Sequence, residues 1–174
     1  MGHHHQSDHD MSTTSAPFSL RPAKPGDVPR IVALIIELAE FEQLAHLVRA
    51  TPETLHPHLF GPRPVAEAMV AEVQGEVVAF ALFFTNFSTF LAKPGLYLED
   101  LFVRPAHRGQ GIGKALLSKL GALAVQRGCG RFEWSVLDWN QNAIALYEQM
   151  GAKVMPDWRI CRISGDALAR FHSL

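Results

Sequence analysis

Residues 95–128 run from a short apolar stretch, "GLYLEDLFV", through a turn with glycine at alternate positions, "RGQGIG", into an apolar repeat at helical spacing. No other part of the chain restricts the fold as much. The stretch is short and rich in apolar residues, as a central strand buried on both faces would be. Its clearest aliphatic phase is Leu96 and Leu98, then Leu101 and Val103, so the alternation slips by one residue at Glu99-Asp100, as a β-bulge would make it do. Ile112, Leu116, Leu120 and Leu123 then stay in register along a helix that ends at Gly128. A glycine turn between a buried strand and a helix presents backbone N–H groups, and the positive end of the helix dipole, to an anion.

Around this unit the chain predicts a mixed α/β sheet. A strand at about 17–22 leads into a helix that Asp27 can cap and Pro29 can enter, with Ile31, Leu34, Ile35, Leu38 and Phe41 on one buried face. "ATPETLHPHLFGP" reads as a short helix with Thr51 as its cap, and "VAEAMVAEV" and "EVVAFALFFTNF" as a hairpin turning at Gln74-Gly75. "RFEWSVL" is a strand, "NQNAIALYEQM" a helix stopped by Gly151, and "WRICRIS" a last strand before a short helical tail. A meander followed by strands alternating with helices is the order of an α/β fold in one domain, here expected over 17–174.

Composition removes several classes of function. The net charge of −1 gives no general attraction to nucleic acid or an anionic membrane. No apolar run approaches the ~20 residues of a membrane span. Cys129 and Cys161 are too few for a disulfide framework or a metal cluster and fit a reducing, cytoplasmic compartment; His56 and His58 lie on different sides of a helix, so no metal is expected. The first 16 residues hold four histidines and no apolar core, and read as a tag or a disordered tail.

Two phosphate motifs can be tested against the turn. A P-loop needs glycine where Arg108 stands and Ser or Thr where Ala115 stands, and the dinucleotide fingerprint needs glycine where Lys114 stands. Either the glycines only make a tight turn, or the ligand is a phosphate carrier of another kind. "RGQGIG" resembles the Arg/Gln-x-x-Gly-x-Gly/Ala signature of the Gcn5-related N-acetyltransferases (GNAT), and "WNQNAIALYEQMGAK", about thirty residues on, resembles their second signature. Together with "LYLEDLFV" and "WRICRI", the order is similar to that of the diamine (spermidine/spermine) and thialysine N-acetyltransferases over about residues 18–170. "NFSTFLAKPG" departs from these relatives, standing where they carry a tryptophan near the acceptor channel.

The resemblance implies a GNAT fold: a mixed, mostly antiparallel sheet with a bulged and splayed fourth strand, flanked by helices. It implies acetyl-coenzyme A as donor and a small amine as acceptor: a polyamine, a diamine or a lysine-like amine. The turn of Arg108, Gly109, Gln110, Gly111, Ile112, Gly113 and Lys114 would hold the pyrophosphate. Leu101, Phe102 and Val103 would hold the pantetheine arm, through main-chain groups freed by the bulge, and Asn140 and Ala143 would line the coenzyme. Asn140 reads equally well as a helix cap.

Tyr147 is implied as the acid that protonates the leaving thiolate, since a phenol with a pKa of about 10 still carries its proton at neutral pH. A carboxylate among apolar neighbours is costly unless paired, hydrated or used, which makes Glu99 the candidate base, through water, or else an orienting group. Asp100 is expected to contact the acceptor ammonium. Glu37 and Glu40 share a helix face near the acceptor channel of the relatives, or form an ordinary solvated face. A homodimer is implied by the relatives alone. Two other readings stay open: acetylation of protein N-termini or lysines, and a coenzyme A-binding module without turnover.

Overall fold

The computed structural model describes residues 17–173, so the histidine-bearing segment lies outside the described residues. The chain divides into two compact units, one reaching to Ser135 and one starting at Val136.

The first unit contains strand β1 (Phe18–Pro22), helices α1 (Val28–Phe41) and α2 (Pro52–Phe60), strands β2 (Glu67–Val73), β3 (Glu76–Ser88) and β4 (Lys93–Val103), helix α3 (Ile112–Gln126) and strand β5 (Arg131–Trp134). The strands form one sheet in the order β1-β2-β3-β4-β5, antiparallel as far as β4, while β5 lies parallel to β4 after the crossover through α3. One sheet face, with Ala68, Val70, Val77, Phe80 and Phe102, packs on Val28, Ile31, Val32, Leu34 and Leu38 of α1 and Leu59 of α2. Helix α3 covers the opposite face. There Gly113 leaves only the space of a methyl group, with Leu101 Cδ2 and Val103 Cγ2 at 3.6 and 3.7 Å from where a Cβ would stand.

Local chemistry explains the helix boundaries. Thr51 Oγ1 accepts from the Thr54 N–H at 3.2 Å, so the expected cap of α2 is present. Asp27 does not cap α1 with its side chain. Its carboxylate instead accepts from the Lys24 N–H at 2.7 Å and from both terminal nitrogens of Arg21 at 2.7 and 3.0 Å, tying the preceding turn to β1. Arg21 also pairs with Glu72, and the Arg21 guanidinium holds the Asp27 carboxyl below its ordinary range.

The second unit contains helices α4 (Gln141–Gln149) and α5 (Gly165–Ala169). Asn140 caps α4, its Oδ1 accepting from the Ala143 N–H at 3.3 Å. The expected last strand, "WRICRIS", is not formed. A strand exists only by pairing, and among the described residues this unit holds no other strand to accept its N–H groups.

Candidate active site

The slip in the β4 pattern is a bulge. Phe83 of β3 stands opposite Leu98 and Leu82 opposite Asp100, so Glu99 is the extra, unpaired residue. Adjacent residues Leu82 and Phe83 point to opposite faces, so Leu98 and Asp100 do as well, although they are two apart in sequence. The inserted residue thus moves Asp100 to the face that carries Phe80 and Phe102, the face on which α1 packs.

That change of face decides the electrostatics. Asp100 is partly buried, and desolvation, with the like charges of Glu99 and Glu42, raises its pKa from 3.8 to about 7. Glu42, which follows the last residue of α1, is itself raised by burial. The carboxylate in apolar surroundings is therefore Asp100, and Glu99, where that environment was expected, is exposed. A bulge residue has no cross-strand partner to cover it, which accounts for the difference. Glu42 crowds the end of the first helix in the sequence together with Glu37 and Glu40, but only those two were expected on the acceptor side. The signal of Glu42 was its place one residue beyond the helix, where only tertiary packing shows which residue it meets.

The other acidic candidates separate. Glu37 Oε1 accepts from Arg104 Nε at 3.2 Å and so is engaged in an ion pair, whereas Glu40 is exposed. Phe41 is not part of the buried face expected of it, being 45% exposed. It lies instead beside the Arg108 guanidinium, 5.1 Å from the ring centroid, with Phe102 at 5.5 Å.

The main chain of β4 is freed by a different cause from the one expected. Leu101, Phe102 and Val103 remain paired with Ala81, Phe80 and Ala79 across the bulge. It is β5 that parts from β4: their pairing runs from Gly95 to Leu98 and stops at Trp134, so within this unit the far edge of β4 has no strand beside it from Glu99 to Val103.

The glycine turn follows directly. Gly109 and Gly111 have φ of +79° and +86°, conformations that side-chain-bearing residues adopt only at a cost, and Gly111 stands at the N-cap of α3 with no side chain to cap it. The first-turn N–H groups of α3 have no intrahelical acceptor. Gln110 Oε1 is buried with no hydrogen-bond partner among the described residues. Arg108 Nε donates to Val103 O at 3.0 Å, and Lys114 is exposed. Open backbone donors and two cations around a turn without side chains fit a pyrophosphate group.

The acetyltransferase (GNAT) family model matches residues 34–152. The chain belongs to the GNAT acetyltransferase family. It is an N-acetyltransferase, and members of this family use acetyl-coenzyme A as cosubstrate. It is 38% identical to an L-ornithine N5-acetyltransferase of Arabidopsis thaliana, over 89% of this chain and 88% of that one. It is 37% identical to the thialysine N-epsilon-acetyltransferase of Sus scrofa, over 86% of this chain and 94% of the other. Among solved structures, an integron cassette protein from the mobile metagenome of V. cholerae superposes with a TM-score of 0.76 at 23% identity, covering 90% of this chain and 98% of that one. This last likeness concerns the fold, and the bulged, splayed β4 of the GNAT fold is the one described above.

Tyr147, Asn140 and Ala143 lie in the second unit. Tyr147 is on α4, half-buried, and Asn140 and Ala143 are joined by the capping bond. Among the described residues no group of His, Cys, Asp and Glu is arranged to hold a metal ion, and no helix is long and apolar enough to cross a membrane.

Proposed function

We propose that this GNAT enzyme transfers acetyl directly from acetyl-coenzyme A to a primary amine of a small cationic acceptor, a diamine, polyamine or lysine-like compound. The observation that carries this reading is the set Glu42, Glu99 and Asp100, three carboxylates at the end of α1 and the bulge of β4 whose mutual repulsion an ammonium group relieves. The relatives support it, being named for ornithine and thialysine, with a spermidine/spermine N(1)-acetyltransferase-like protein of Homo sapiens at 32% identity.

In this reading residues 17–174 act as one acetyltransferase domain. The turn Arg108–Lys114 holds the pyrophosphate, the open edge of β4 at Leu101, Phe102 and Val103 the pantetheine arm, and Asn140 and Ala143 flank the coenzyme. The donor supplies a thioester carbonyl. Asp100 and Glu42 bind and orient the acceptor, and the exposed Glu99 takes the amine's proton through water, the step that makes the nitrogen nucleophilic. Tyr147 supplies the proton that leaves with the thiol. Glu37 serves the acceptor side through its pair with Arg104, and Glu40 by its charge. The enzyme is cytoplasmic, supported by the free Cys129 and Cys161, and works as a homodimer, supported by the resemblance alone.

The test is the charge dependence of the acceptor. A diamine should be acetylated with a lower KM than a monoamine of equal length, and Asp100→Asn should reduce that preference. Equal KM values in the parent enzyme, or turnover on N-terminal peptides alone, would overturn the reading.

A further inference from the structure

The end of α1 touches the donor turn through a contact the catalytic scheme does not use. The Arg108 guanidinium stands 5.1 Å from the Phe41 ring centroid and 5.5 Å from that of Phe102, while its Nε is spent on Val103 O. Its two terminal nitrogens make no hydrogen bond among the described residues. A second tie runs alongside, from Arg104 to Glu37 of the same helix. Phe102 is 4% exposed and belongs to the core, whereas Phe41 is 45% exposed at the last residue of α1, with the guanidinium beside its ring.

We propose that Phe41 is a positioning residue for the donor: together with Phe102 it holds the Arg108 guanidinium in place, with its terminal nitrogens free for the pyrophosphate. The proposal rests on the reading of the glycine turn as the pyrophosphate site. An arginine side chain on an exposed turn samples many rotamers, and each must be given up when an anion binds. A ring on the guanidinium fixes its plane beforehand, and the electrostatic attraction to the ring face does not consume the N–H donors. The residue that follows Phe41, Glu42, is the carboxylate that acts on Asp100, so donor and acceptor sides meet at adjacent residues where α1 ends.

The experiment compares acetyl-coenzyme A with S-acetylpantetheine, a donor without the pyrophosphate, in Phe41→Leu, Phe41→Tyr, Arg108→Gln and the double variant Phe41→Leu/Arg108→Gln. Loss of one exposed cation–π contact corresponds to about a two- to fivefold fall in kcat/KM for acetyl-coenzyme A in Phe41→Leu. S-acetylpantetheine should be unaffected, Phe41→Tyr should restore the parent value, and the leucine should add nothing to Arg108→Gln. An equal loss with both donors would reduce Phe41 to a structural residue and overturn the proposal, as would an unchanged or improved kcat/KM for acetyl-coenzyme A. Arg108→Gln that leaves acetyl-coenzyme A kinetics intact would instead strike the assignment of Arg108 to the pyrophosphate, and the proposal with it.

Discussion

Gly111 and Gly113 stand two residues apart in one signature, yet the structure predicts opposite responses to alanine. Gly111 has φ +86°, and a Cβ built there meets nothing within 4 Å, so the cost of Gly111→Ala is purely conformational. The left-handed conformation costs an L-residue about 1–2 kcal/mol, and the restricted unfolded chain gives back about 0.4–1 kcal/mol. The net destabilisation is about 1 kcal/mol. Gly113 is the second residue of α3, and its Cβ would stand in ordinary contact, 3.6 and 3.7 Å from Leu101 and Val103. Gly113→Ala therefore keeps the unfolded-state gain without the strain and stabilises by about 0.5–1 kcal/mol. The variants should differ by about 2 kcal/mol, or about 4–8 °C in Tm for a chain of this size. Thermal and urea denaturation followed by circular dichroism measure the difference, and titration with coenzyme A should show the larger loss of affinity in Gly111→Ala. Equal stability, or a Gly113→Ala less stable than Gly111→Ala, would refute the reasoning.

The raised pKa of Asp100, about 7 against 3.8, means that the folded protein binds more protons than the unfolded chain between those values, so this group's contribution to stability falls as pH rises from about 4 to 7. Asp100→Asn should flatten that slope and stabilise the protein at pH 8, read by urea midpoints across pH; a slope unchanged from the parent would contradict it. Asp27 has the opposite sign: its lowered pKa gives stability present above its ordinary value and lost as pH falls through the folded one. Asp27→Ala removes the bonds to Arg21 and Lys24 and should cost about 1–3 kcal/mol at pH 7, with the deficit shrinking in acid; a deficit independent of pH would contradict the assignment. Gly95→Ala brings a methyl group against Asn86 Oδ1 on the facing strand and should destabilise more than Gly113→Ala in the same denaturation assay.

What could be read in the sequence was whatever neighbouring residues determine. The bulge was visible because strand alternation has a period of two and a single insertion breaks it, and the glycine turn because positive φ demands glycine. The cap at Thr51 is equally local. The face that Asp100 takes follows from the bulge, but Glu42 as its neighbour does not, since the two are distant in sequence and meet only where α1 packs on the sheet. Phe41 fitted the apolar period of α1 and so was assigned to the core; the period says which side a residue lies on, not where the core ends. Asp27 looked like a helix cap because its competitor, Arg21, is part of a strand. The apolar pattern of "WRICRIS" marked a strand, yet pairing is a property of the partner.

The central claim is acetyl transfer to a small cationic amine, and coenzyme A thiol release tests it most directly. The protein would be mixed with acetyl-coenzyme A and, separately, with spermidine, putrescine, ornithine, thialysine, lysine and N-terminal peptides, with Tyr147→Phe assayed alongside and the products weighed by mass spectrometry. The account predicts a singly acetylated product from at least one of the small amines, none from the peptides, and a strong loss of turnover in Tyr147→Phe. Turnover on peptides alone, or coenzyme A binding with no product from any amine, would contradict it.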